Sequence, residues 1–153
     1  MKPAKYLNGL LEHPCPRTGE ELQVVAGGIE VRVRLRDWDR LGCLFERLSL
    51  EGAPGRTLAL DPERVEERVT YLGEPLEVIE KDEGHGVAVL RSRPPRKEKS
   101  GVSFFEMTVD RQRGAELVRY AYDHHSRERN RVAAPLTRET LERLVSDLVE
   151  LAQ

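Results

Sequence analysis

Apolar and polar residues alternate along several stretches of this chain. Ile29, Val31, Val33 and Leu35 alternate with Glu30, Arg32, Arg34 and Arg36, which predicts a strand with one buried and one solvated face. Gly27-Gly28 links it to the apolar run 22–26 as a tight hairpin would. After a polar turn ending Asp39-Arg40-Leu41-Gly42, residues 43–51 return as a strand carrying Phe45, Leu48 and Leu50, and 56–60 read as a short fourth strand. Residues 75–81 and 86–92 make a further hairpin. Phe105, Met107 and Val109 alternate up to the turn Asp110-Arg111-Gln112-Arg113-Gly114, and Val118, Tyr120 and Tyr122 alternate after it. Asp61 as N-cap, Pro62 in the first turn and Gly73 past the end predict a helix with Val65, Val69 and Leu72 on one side. Thr137 caps a second helix, with Leu141, Leu144, Val145, Leu148 and Leu151 on one face. The first residues, broken by Pro3, Gly9, Pro14, Pro16 and Gly19, read as an irregular arm with a helical turn at 6–12.

Both helix starts follow one pattern of Leu, cap, any residue, Glu, any residue, aliphatic, Glu. It occurs as Leu60-Asp61-Pro62-Glu63-Arg64-Val65-Glu66 and as Leu136-Thr137-Arg138-Glu139-Thr140-Leu141-Glu142. The stretch 29–72 therefore reads as a shorter copy of 104–151. The expected fold is α+β: tandem strand-strand-strand-strand-helix repeats at 21–73 and 74–153, after an arm at 1–20. Their curved antiparallel sheets are each covered by a helix on one face, and the two copies join in one compact pseudo-symmetric domain.

With 153 residues the chain can bury one sizeable core, whereas two independent domains would each be marginal. A net charge of −2 argues against simple coating of polyanions, whose affinity comes from phosphate neutralisation. The charge is unevenly spread, however. Glu63, Glu66, Glu67, Glu74, Glu77, Glu80, Asp82 and Glu83 make the middle acidic, and Arg91, Arg93, Arg96, Lys97, Lys99 and Arg111 onward make the later half basic. Cys15 and Cys43 give no disulfide framework, and no apolar run suits a signal peptide or a membrane span. A cytoplasmic protein without membrane contact is expected.

Candidate chemistry is sparse. His13-Pro14-Cys15-Pro16-Arg17-Thr18 supplies one thiolate where a zinc knuckle needs two, so no metal is expected. His85 lies between two glycines in a turn, and the adjacent His124 and His125 point to opposite sides of an extended chain. The pattern includes no phosphate-cradling glycine loop, no metal-ligand quartet and no nucleophile with a neighbouring base. The sequence thus leans away from an enzyme, with no catalytic residue and no cofactor expected.

The later hairpin, Phe104-Phe105-Glu106-Met107-Thr108-Val109-Asp110-Arg111-Gln112-Arg113-Gly114-Ala115-Glu116-Leu117-Val118-Arg119-Tyr120, sets a polar turn ending Arg-Gly between two aromatic-aliphatic strands. Together with Gly55-Arg56-Thr57-Leu58-Ala59-Leu60 ahead of the first helix, it resembles the PUR repeat and the broader Whirly-like group. The resemblance spans most of 22–152. It implies binding of single-stranded DNA or RNA on a curved sheet through basic residues and stacked aromatics, in paired repeats or dimers. By position it singles out Arg113, with Arg111 and Arg119 near it. After the turn glycine this chain has Ala115-Glu116 and Cys43-Leu44 in place of the family's Arg-Phe, which removes groups that act on bases there.

The residues themselves add further candidates. Arg32, Arg34 and Arg36 form either a phosphate-tracking stripe or a solvated sheet face. Arg96, Lys97 and Lys99 make a basic loop behind Pro94-Pro95. Tyr120 and Tyr122 offer stacking surfaces, and Trp38 either stacks likewise or folds back on the core. Two function classes follow: a single-stranded nucleic-acid-binding module, or a protein-interaction and assembly module with no nucleic-acid role and no catalysis. A homo-oligomer is expected.

Overall fold

The alternating runs at 29–35 and 105–109 become strands whose apolar members face the core, whereas Val118, Tyr120 and Tyr122 face the other side of the sheet. In the computed structural model, which describes residues 3–153, the elements follow in the order α1 (Pro3–Leu10), β1 (Glu20–Ala26), β2 (Ile29–Trp38), β3 (Gly42–Gly52), α2 (Pro62–Arg68), β4 (Leu76–Asp82), β5 (Val87–Ser92), β6 (Arg96–Lys97), β7 (Gly101–Asp110), β8 (Gly114–Asp123), β9 (Arg129–Arg131), β10 (Ala134–Thr137) and α3 (Arg138–Leu151). The strands form one sheet, ordered β1-β2-β3-β8-β7-β5-β4, with β10 beside β3, β6 beside β7 and β9 beside β8. Each of these pairings is antiparallel.

Strand β3 is shared. Its first half pairs with β10, from Ala134 opposite Phe45 to Thr137 opposite Gly42, and its second half pairs with β8, from Arg47 opposite Val118 to Leu50 opposite Ala115. Phe45 and Leu48 are three residues apart, yet both are fully buried. A bulge reconciles this: Leu35 pairs with Phe45 and Arg34 with Arg47, which leaves Glu46 unpaired opposite β2 and restores the alternation. At the start of β8, Gly114 has φ +112 and lies so close to β3 that a Cβ would strike the Leu50 carbonyl oxygen.

The core fills one side of this sheet. Val31, Val33, Leu48, Leu50, Leu90, Met107 and Leu117 meet Leu7 of α1, Val65 of α2 and Leu141, Leu144, Val145 and Leu148 of α3. Both predicted caps are present: Asp61 accepts from the Glu63 amide at 3.1 Å, and Thr137 Oγ1 accepts from the Thr140 amide at 3.0 Å. Helix α2 is shorter than expected, ending at Arg68, although Val69 and Leu72 beyond it remain buried. Arg138 ties the helical layer together. Its guanidinium donates to the Asn8 carbonyl at 3.2 Å, to the Asn8 side chain and to the Asp39 carbonyl at 3.5 Å.

The expectation of tandem strand-strand-strand-strand-helix repeats is overturned. Strand outweighs helix, 47% to 19%, and a single ten-stranded sheet replaces two helix-covered sheets. The predicted strand at 56–60 is an extended connection with one ladder-like bond, from the Leu58 amide to the Arg111 carbonyl at 2.9 Å. Only three strands therefore precede α2, whereas seven lie between α2 and α3. The helices also lie on the wrong strands for self-contained units: α2 contacts β4 and β5, while α3 contacts β2, β3 and β10. A cap motif repeated in sequence reports a local helix start and carries no information about which strands the helix will cover.

One charged pair sits inside the core layer. Arg119, on the core side of β8, donates to Glu74 Oε1 at 3.0 Å and to Ser103 Oγ at 2.9 Å, and its guanidinium lies 4.6 Å from the centre of the Phe105 ring. The two side chains are 9% and 13% exposed. Truncating one partner of such a pair leaves a charge buried without its counter-ion. Glu74→Ala is expected to cost ~3–5 kcal/mol in urea unfolding. Adding Arg119→Met to that variant is expected to recover most of the loss.

Candidate nucleic-acid interface

The side of the sheet away from the helices carries the polar half of the β2 alternation and most of the sheet's charged side chains. Directly opposed residues in antiparallel strands project to the same face, so side-chain rows can be read across the sheet. One row runs Arg91, Glu106, Val118, Arg47, Arg34, Glu21 across β5, β7, β8, β3, β2 and β1. Most of its cations are matched by carboxylates. Glu106 takes Arg91 at 2.7 Å and Arg129 at 3.3 Å, Glu46 takes Arg34 at 3.1 Å and Arg36 at 2.8 Å, and Glu30 takes Arg32 at 2.6 Å. Glu116 takes Arg131 at 3.0 Å and Arg47 at 3.7 Å. Arg32, Arg34 and Arg36 thus lie in a largely neutralised lattice.

A different composition holds at the far end of the β7–β8 hairpin. Lys97 of β6 opposes Val102, Val102 opposes Tyr122, and Tyr122 opposes Arg129 of β9. The next row sets Phe104 against Tyr120 and Tyr120 against Arg131. Three aromatic rings therefore lie together on the outer face, with Lys97 on one flank and two arginines on the other. Phe104 is 7% exposed, with its ring centre 4.8 Å from the Arg91 guanidinium and 6.2 Å from the Tyr120 ring. The Arg129 guanidinium sits 3.9 Å above Tyr120, while Tyr122 meets His124 edge-on at 5.5 Å. Beside them Lys97, Lys99, Ser100, Val102, His124 and His125 help to line a recess of about 350 Å³.

Lys97 and Lys99 have no carboxylate at ion-pairing distance among the described residues, and Arg96 reaches Glu98 only at 3.7 Å. Arg111 and Arg113 are likewise exposed and unpaired among the described residues, but they occupy the opposite turn. Nine residue steps of strand separate the two ends, about 30 Å at the usual rise. Trp38 is 6% exposed and donates its indole N–H to the His13 carbonyl at 2.8 Å, so it caps the core. Arg119 is turned inward to Glu74.

Arg129 and Arg131 were not among the sequence candidates. Their strand is three residues long and wholly polar, and only its partner strand reveals that both side chains join the tyrosines. Among the described residues no three His, Cys, Asp or Glu side chains are grouped to hold a metal ion, and no helix is long and apolar enough to cross a membrane. No family model, curated protein or solved structure matches the chain.

The turn that delivers β9 is held by Asp123. Its Oδ1 accepts from the amides of His125 at 2.7 Å and Ser126 at 3.1 Å, and Ser100 Oγ donates to its Oδ2 at 3.3 Å. The backbone donors at Ser126 and His125 hold its carboxyl below the usual carboxylate range. A carboxyl lowered on folding stabilises the turn above its unfolded value of about 3.9, and that contribution is lost as pH falls through the lower folded value. In an NMR titration the His125 and Ser126 amide shifts are expected to move together, with a midpoint below about 3.9. Asp123→Asn is expected to abolish that step.

Proposed function

We propose that this protein binds single-stranded nucleic acid on the outer face of its sheet, where β6, β7, β8 and β9 meet. The observation that carries the reading is the row Lys97, Val102, Tyr122, Arg129, which places an aromatic ring between cations on both flanks. Tyr122 and Tyr120 offer faces to successive bases, while Lys97 and Lys99 meet the phosphates, Arg129 and Arg131 being held by Glu106 and Glu116. Arg129 already stacks on Tyr120, so a base entering there displaces or sandwiches the guanidinium. The free thiols Cys15 and Cys43 suit action in the reducing cytoplasm.

Fluorescence anisotropy with labelled single-stranded DNA and RNA oligonucleotides tests this reading. Two phosphate contacts, at Lys97 and Lys99, give an expected log–log salt slope of about −1.4 for a single strand. Lys97→Glu with Lys99→Glu is expected to flatten that slope by about 1.4. Tyr122→Ala is expected to cost ~1–3 kcal/mol with little change in slope. Absence of binding at low salt, or binding untouched by these variants, sinks the assignment.

A second reading, association between copies, has its own observation. Among the described residues strand β1 pairs only with β2, and its Val25 is 67% exposed beside that edge. If copies pair there, Val25→Lys is expected to reduce the mass seen by sedimentation equilibrium towards that of one chain.

A further inference from the structure

Strand β1 ends the sheet on one side, and apolar groups stand exposed on both faces of that margin. Leu22 and Val24 face the core, so period two turns Glu21, Gln23 and Val25 to the outer face. On the helical side Tyr6 of α1 is 47% exposed, and with Pro3, Gln23, Val24 and Val25 it lines a recess of about 450 Å³. Tyr6 and Val25 are two of the three large apolar side chains exposed among the described residues.

The turn decides which backbone groups the margin presents. Gly27 and Gly28 have φ +59 and +77, as a two-residue type I′ turn requires, and the turn is closed by the pair Ala26 and Ile29. Hydrogen-bonded and open pairs alternate from there, so Ala26, Val24 and Leu22 bond to β2 while Val25, Gln23 and Glu21 direct N–H and C=O away from the sheet. On the far side of β2 the Ala53 amide donates to the Gly28 carbonyl at 2.9 Å, as the same alternation demands.

Building on association between copies as the second reading, we infer that β1 of one copy pairs antiparallel with β1 of a second about a two-fold axis at Gln23, merging their sheets into one. In this register Gln23 opposes Gln23, Glu21 opposes Val25 and Glu20 opposes Ala26. The groups facing outward on each strand then meet, giving about six backbone hydrogen bonds, and Leu22 meets Val24 so that the apolar layer runs on across the axis. Charge fits the same arrangement. The Arg56 guanidinium lies on the turn beyond Ala26, where a Cβ at Gly28 would fall 2.5 Å from its Nη1, and neither Arg56 nor Glu20 has an ion-pair partner among the described residues. The two-fold axis brings Glu20 of each copy to the turn that carries Arg56 of the other. Pairing β1 with β4 of another copy is opposed instead: β4 sets Glu77, Glu80 and Asp82 against Glu20 and Glu21, its Lys81 is held by Glu63, and a bulge at Ile79 breaks its ladder. The pairing is therefore closed and stops at two chains.

Sedimentation equilibrium of the full chain is expected to give twice the mass of one chain, and Val25→Lys to reduce it. Arg56→Glu is expected to weaken the dimer about tenfold, and the swap Glu20→Arg with Arg56→Glu to restore it. Oxidised Gln23→Cys is expected to form a disulfide-linked dimer, since hydrogen-bonded partners lie about 5.5 Å apart between Cα atoms. Glu21→Cys, about 13 Å from its own copy in this register, is expected to form none, with the wild-type chain as the control for Cys15 and Cys43. Association that Val25→Lys reduces but Gln23→Cys fails to trap, or that the charge swap leaves weakened, overturns the two-fold pairing and leaves association between copies standing. The mass of one chain at every concentration overturns both.

Discussion

Four residue pairs between β3 and β8 hold the two halves of this protein in one sheet. Leu48 and Leu50 on one strand, and Leu117 and Ala115 on the other, face the same side, so the apolar layer crosses the joint without a gap. Gly114 lets β8 begin against the Leu50 carbonyl, where a Cβ would clash. The same register decides the outer face, since it puts Glu116 within reach of both Arg47 and Arg131. A slip of one residue would turn the apolar set outward and the charged set inward.

Features governed by neighbours in sequence were legible. The alternation at 29–35 and at 105–109 and the caps at Asp61 and Thr137 follow from period two and from one hydrogen bond each. Features governed by distant partners were not. Strands β6, β9 and β10 have two to four residues and little or no alternation of their own, and β10 includes Pro135. Arg119 reads as one more strand arginine until Glu74, 45 positions away, closes on it. The run Val118, Tyr120, Tyr122 shows its alternation in sequence but not its face, and the core side of that strand belongs to Ala115, Leu117 and Arg119. For the candidate interface, sequence named Lys97, Lys99, Tyr120 and Tyr122 but could not bring them together with Arg129 and Arg131.

Net charge conceals how this surface is divided. Most of the sheet's outer face is a lattice in which arginines and glutamates quench one another at 2.6–3.7 Å, so its middle presents little field to a polyanion. Along the β7–β8 hairpin and its β6 flank, the cations without a carboxylate partner among the described residues are Lys97 and Lys99 at one end and Arg111 and Arg113 at the other. Aromatic rings accompany the first group.

The crossed placement of the helices bears on how the chain is made. Strands β1 to β3 are complete by residue 52, but the helix that covers β2 and β3 ends at residue 151. A ribosome adds roughly 5–20 residues per second, so the nascent strands wait roughly 5–20 seconds with their apolar face bare. The apolar face of β2 and β3 is therefore closed late, by a helix about a hundred residues downstream, and not in the order in which the strands are made.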